Sequence, residues 1–111
     1  MTNNQTLDDQ MATIANRMDI ENDLLHFLFF IGIHESGQGF KQYSKEEKLD
    51  LIELGSATLL SRHNYYKAIE TKSSVPYYVA NPDLPLPGTH ETELLLKQEI
   101  VDYFNDKMTS L

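Results

Sequence analysis

The chain has no cysteine. Disulfides, thiolate zinc sites and a cysteine nucleophile are therefore excluded, and a reducing compartment fits the composition. It also lacks a basic segment. Met1 to Tyr43 carries six acidic and two basic side chains, Ser44 to Ala80 five of each, and Asn81 to Leu111 six and two again. The net charge is -8, with an acidic segment at each end and a neutral middle. Such a distribution repels phosphate backbones and anionic membranes, so neither a nucleic acid nor a membrane is expected as a partner. No apolar run is long enough to cross a bilayer. The longest, Leu24 to Ile33, is about half the ~20 residues a spanning helix requires. It contains His26, and Asp19, Glu21 and Asp23 precede it. Met1 to Gln10 is polar and lacks the basic-then-apolar order of a secretion signal, so a cytoplasmic location is expected. Internal repeats and low-complexity segments are absent too.

The chain has 111 residues, 41% of them hydrophobic and 23% charged. These are the proportions of one globular domain spanning residues 1–111, with the polar Met1 to Gln5 expected to fray. A chain of this size buries somewhat over ~60% of its unfolded surface, enough for one core without staples. The natural centre of that core is Leu24 to Ile33. Phe27, Leu28, Phe29, Phe30 and Ile31 are consecutive, so on a helix they point in all directions and need covering on most sides.

The covering elements are legible from their spacing. Leu7, Met11, Ile14, Ala15 and Met18 share one helical face behind a Thr6 N-cap, with Asp8 and Asp9 in the first turn. Beyond Met18 two arrangements are open. Asp19 can cap a second helix beginning at Ile20, or one helix can run from Thr6 to Glu35. Gly37 suits the left-handed residue that ends a helix, followed by a turn through Gly39. Ser44 with Glu47 three residues later is a capping box, predicting a helix to about Arg62. Within it Gly55 costs roughly 1 kcal/mol against alanine and permits close approach of a neighbour. Tyr65 to Glu70 and Val75 to Ala80, separated by Thr71 to Ser74, read as a β-hairpin, with Pro76 marking an edge strand. Pro82, Pro85 and Pro87 predict an extended connector, pinned to the body by Leu84 and Leu86. Thr89 can cap a last helix, with Leu96, Ile100, Tyr103, Phe104 and Lys107 on one face, ending near Met108. The fold class is mainly α (α+β): three to four helices around a central apolar helix, with one hairpin between the last two helices.

The stretch Ile31-Gly32-Ile33-His34-Glu35-Ser36-Gly37-Gln38-Gly39-Phe40, together with Ser44 to Ile52 and Leu59 to Tyr66, resembles a group of small bacterial proteins found mainly in Bacteroidetes. The resemblance covers roughly Leu28 to Pro87. It implies no particular activity and carries over no functional residue.

Motifs for chemistry are incomplete. His34-Glu35 starts like a zincin helix, but Gln38 stands where the second histidine must be. His26 and His34 are eight apart and lack a third ligand. Gly37-Gln38-Gly39-Phe40 lacks the third glycine and the Lys-Ser/Thr pair of a phosphate loop, and it follows a helix rather than a strand. Ser61, His63 and Glu70 have the letters of a hydrolase triad without a nucleophile elbow. The chain is therefore read as non-enzymatic and without a cofactor or metal.

The candidate contact residues are Tyr65, Tyr66, Tyr77 and Tyr78, two on each hairpin strand, and Phe40 after the glycine turn. Alternation sends one tyrosine of each pair inward and one outward, and exposed tyrosines are frequent at interfaces. The leading expectation is a protein-interaction or self-associating domain, the partner being a second copy or another protein. The alternative is a winged-helix-like transcriptional regulator, with the capping-box helix as recognition helix and the hairpin as wing. A third reading is a ligand pocket lined by His26, His34 or His63.

Overall fold

A computed structural model describes residues 6–72 and 75–107. Met1 to Gln5, Ser73 and Ser74 of the hairpin loop, and the expected helix end at Met108 lie outside the described residues. The order is α1 (Leu7–Met18), α2 (Leu24–Ser36), α3 (Lys45–Ser61), β1 (Tyr66–Ile69), β2 (Tyr77–Ala80) and α4 (Thr89–Lys107). The protein is thus mainly α, with a two-stranded antiparallel hairpin between the last two helices.

Local chemistry explains the helix ends. The Thr6 hydroxyl accepts from Asp9 N–H while the Asp9 carboxylate accepts from Thr6 N–H, a capping box. Ser44 and Glu47 form the same reciprocal pair at the start of α3, as their spacing predicts. Gly37, at φ 72°, ends α2 in the left-handed conformation. The open question between one helix and two resolves differently from both expectations. Asp19 adopts φ 55° and closes α1, with the Ile20 N–H donating to the Ala15 carbonyl. The cap of α2 is Asp23, whose carboxylate accepts from Leu25 N–H at 2.8 Å. Residues 20–23 are therefore a corner. Leu84 and Leu86 do not pin the connector, since both are exposed. Thr89 is the first residue of α4 rather than its cap, because the Gly88 carbonyl accepts the first helical bond, from Thr92 N–H.

Packing is built outward from the α2–α3 crossing, the most extensive helix contact in the molecule. Both helices carry a buried glycine there. A Cβ on Gly32 would stand 1.9 Å from the Leu51 carbonyl oxygen, and one on Gly55 would stand 2.1 Å from that of Leu28. Only hydrogen fits at either position, so the two backbones are in direct contact. Gly55 thus has the close-approach role its place in a helix suggests, and Gly32 is its counterpart. The apolar residues of α2 then divide. Phe27, Leu28 and Ile31 enter the main core with Leu59, Leu60, Ile100, Tyr103 and Phe104, while α1 contributes Met11, Ile14 and Ala15. Ile33 joins Tyr43 and Leu51 in a smaller cluster, flanked by Phe29. Ring contacts of Phe104 with Phe27, edge-on, and with Phe30 tie α4 to α2 in this core.

The hairpin rests on α3. Its register pairs Tyr66 with Ala80, Lys67 with Val79, Ala68 with Tyr78 and Ile69 with Tyr77. A lone hairpin is marginal in water. This one is anchored by Tyr65 and Tyr66, which pack on the main core, and by the Asn81 amide, which donates to the Asn64 carbonyl.

Gly32→Ala or Gly55→Ala is expected to destabilise the fold by about 3 kcal/mol, the upper end of overpacking costs, because backbone must move to admit the methyl group. Gly88→Ala, with open space around its Cβ position, is expected to stay within about 1 kcal/mol of the parent. Urea unfolding of the three variants checks the contrast. A second expectation concerns acid. Backbone N–H donation from Leu25 holds the Asp23 carboxyl below its usual range, and donation from Ser44 does the same for Glu47. Each pKa is lower folded than unfolded, so each cap stabilises above the unfolded value and loses its effect as pH falls through the folded one. Melting temperature should therefore decline on acidification below about pH 4, and Glu47→Gln should flatten part of the decline.

Candidate functional site

Two features stand apart from the core: a polar seam along α4 and an aromatic, acidic surface around the hairpin.

The seam begins with Glu99, which lies on the buried face of α4. Arg62 closes α3 and donates through Nη1 to Glu99 Oε1 at 3.2 Å and through Nη2 to Asp106 Oδ2 at 3.4 Å. His63 Nε2 lies 2.9 Å from Glu99 Oε2. A carboxylate only accepts, so Nε2 carries the proton. One helical turn further along α4, the Tyr103 hydroxyl donates to Glu35 Oε2 at 2.7 Å. His34 Nδ1 lies 2.6 Å from the same hydroxyl. The phenol proton is committed to Glu35, so His34 Nδ1 must donate. Burial, and then the Glu35 carboxylate, push the Tyr103 hydroxyl far above its usual range and keep it protonated. The seam thus joins the ends of α2 and α3 to α4 through charge-assisted hydrogen bonds.

Acid–base residue types meet here, but each already has a partner. The triad letters do not assemble. His63 pairs with Glu99 rather than Glu70, and the Ser61 hydroxyl donates to the Thr58 carbonyl. His26 and His34 serve opposite ends of α2. His26 is not buried by its apolar neighbours, as its place in the run suggests, but lies half-exposed beside Asp23 and Glu21. Among the described residues no group of three His, Asp or Glu side chains is placed to hold a metal ion. Likewise, no helix among them is long and apolar enough to cross a membrane.

The contact candidates separate by face. In the observed register Ile69, Tyr77, Lys67 and Val79 share one side of the hairpin, and Tyr66 and Tyr78 the other. The first side is open: Tyr77 is 59% exposed, Ile69 44% and Val79 37%. Tyr66 and Tyr78 are half-buried. Tyr65 precedes β1 and packs on the core, so the outward side carries one tyrosine rather than two. Phe40 is 73% exposed, yet its ring rests 5.2 Å from that of Phe30. It lies between α2 and α3, well away from the hairpin in sequence, beside a shallow apolar depression with Phe30, Ile33 and His34.

A groove of about 870 Å³ runs between α3 and the hairpin. Glu47, Asp50 and Glu53 line it from α3, and Tyr66, Tyr77 and Tyr78 from the hairpin. Neither this groove nor the seam is evident from short motifs. Glu99 does leave a trace, since it sits three residues after Leu96 and four before Tyr103, inside an apolar stripe where an unpaired acid is costly. Its partners Arg62 and His63 come from another helix and leave no local trace.

No protein-family model, curated protein or solved structure matches the chain.

Glu99→Ala removes the acceptor of His63 and leaves Arg62 with Asp106 alone, and is expected to destabilise by about 1–2 kcal/mol. Tyr103→Phe removes the donor to Glu35 and is expected to lose about 1–2 kcal/mol. Urea titration should show both as shifts in midpoint with an unchanged slope.

Proposed function

We propose that the protein is a non-enzymatic protein-interaction domain whose contact element is the β-hairpin. The observation that carries this reading is the open apolar side of the hairpin, where Ile69, Tyr77 and Val79 stand together in solvent. Water-exposed apolar surface on a two-stranded sheet is unfavourable by itself, and a partner relieves it. The partner is another protein or a second copy of the chain. With a charge of -8 each, two copies repel at low salt, which favours a different protein. The lack of cysteine fits a cytoplasmic setting for such contacts. The resemblance of Ile31 to Phe40 to a Bacteroidetes-type family implies no known activity and adds nothing to this reading.

The winged-helix alternative draws support from the element order, three helices, a hairpin and a helix. Charge on α3 weighs against it. A recognition helix approaches phosphates, whereas α3 bears Glu46, Glu47, Asp50 and Glu53 against Lys45 and Lys48.

A photoreactive benzoylphenylalanine in place of Tyr77 tests the proposal in cells. Irradiation is expected to yield a discrete covalent adduct that is absent when the same group replaces Asp102 on the exposed side of α4. An adduct of doubled chain mass would identify a second copy as the partner. Equal or no adduct at the two positions would refute the hairpin as a contact element.

A further inference from the structure

We infer that the groove between α3 and the hairpin seats an extended, arginine-bearing segment of the partner protein. The inference deepens the interaction reading above and rests on it.

The exposed hairpin patch is far smaller than the ~800 Å² per partner of a stable interface. Contact must extend past it, and Tyr77 belongs to both the patch and the groove, so the two are continuous. Every charged side chain lining the groove among the described residues is an acid: Glu47, Asp50 and Glu53. They recur at three-residue steps and so run along one side of α3, where like charges at this spacing repel. Among the described residues Asp50 and Glu53 have no ion-pair or hydrogen-bond partner, and the Glu47 carboxylate serves the helix cap. Asp50 and Glu53 therefore hold negative charge that no ion pair among the described residues offsets, whereas Lys41 lies near enough to Glu47 to attract its carboxylate.

The opposite wall decides what kind of cation fits. Tyr66 and Tyr78, on the other side of the hairpin from the open patch, line the groove together with the carboxylates, and Tyr77 borders it. A guanidinium can pair with a carboxylate along its edge and stack on an aromatic ring through its face. An ammonium lacks the planar face and is more strongly hydrated, so lysine gains less. A groove of this volume lined by acids at three-residue spacing suits several arginines on an extended chain rather than one small cation. Nucleic acid is repelled by the same three carboxylates.

Fluorescence anisotropy with a labelled alternating Arg-Ser peptide tests the assignment on the full chain. The parent should bind saturably, and the same peptide with lysine for arginine should bind more weakly. The pair Asp50→Asn with Glu53→Gln replaces exposed carboxylates by near-isosteres and should weaken binding roughly tenfold or more. The pair Glu91→Gln with Glu93→Gln removes equal charge from the start of α4 and should change affinity by less than about twofold. Circular dichroism confirms that both pairs remain folded. Absence of saturable binding, or equal loss in the two pairs, would overturn the groove assignment. The cross-link at position 77 separates the two levels. An adduct there without arginine-peptide binding overturns the partner's chemistry alone, whereas loss of both overturns the interaction reading as well.

Discussion

The rest of the structure depends on a backbone-to-backbone contact. Gly32 and Gly55 let α2 and α3 cross with the Leu51 carbonyl against one helix and the Leu28 carbonyl against the other. A helix that is apolar on nearly all sides has no preferred face of its own. The glycine crossing supplies one. It puts Leu28 toward α3, and the turn geometry of α2 then distributes Phe27 and Ile31 to the main core and Ile33 to the smaller cluster. It also fixes α3, which is the platform for the hairpin and one wall of the groove. Helix propensity is given up at two positions for a packing that no larger residue allows.

The polar seam is the second constraint, and it acts at right angles to the first in chemical terms. Van der Waals contact holds α2 against α3, while α4 adds directional hydrogen bonds to the ends of both to its apolar packing in the main core. Glu99 is buried only because Arg62 and His63 meet both of its oxygens, and the Tyr103 hydroxyl is shared between Glu35 and His34. Buried polar groups of this kind discriminate against sliding or rotation of α4, since any other register leaves a carboxylate without donors. With this scaffold satisfied internally, the unpartnered surface is elsewhere: Asp50 and Glu53 beside the groove and the apolar outer side of the hairpin. That separation is why the proposed interaction is placed at the hairpin surface rather than at the seam.

Much of this order is legible in the sequence where the signal is local. Ser44 with Glu47 marks the start of α3, Gly37 marks the end of α2, and β alternation predicts that the hairpin tyrosines divide between two faces. What is not legible depends on contacts distant in sequence. The corner at residues 20–23 was hidden because apolar spacing runs on through it, and the left-handed turn at Asp19 is a conformation aspartate tolerates without advertising. Leu84 and Leu86 read as anchors by hydropathy, yet the connector's course leaves them in water. Tyr65 counts as a strand residue by composition, but the chain enters the strand one residue later, and its ring turns to the core. Glu47, Asp50 and Glu53 are visible as a spaced acidic row. That tyrosines line a groove with them follows only from how the hairpin folds back on α3.

The claim that the glycine crossing organises the whole fold is tested most directly by native-state hydrogen exchange followed residue by residue. The amides of Ile31 to Ile33 and of Thr58 to Leu60, in the middle of α2 and the inner half of α3, should exchange only through global unfolding, with α1 and the hairpin opening at lower free energy. If α1 or the hairpin proves as protected as the crossing, or if α2 and α3 exchange through separate local openings, the crossing is not the centre on which the structure depends.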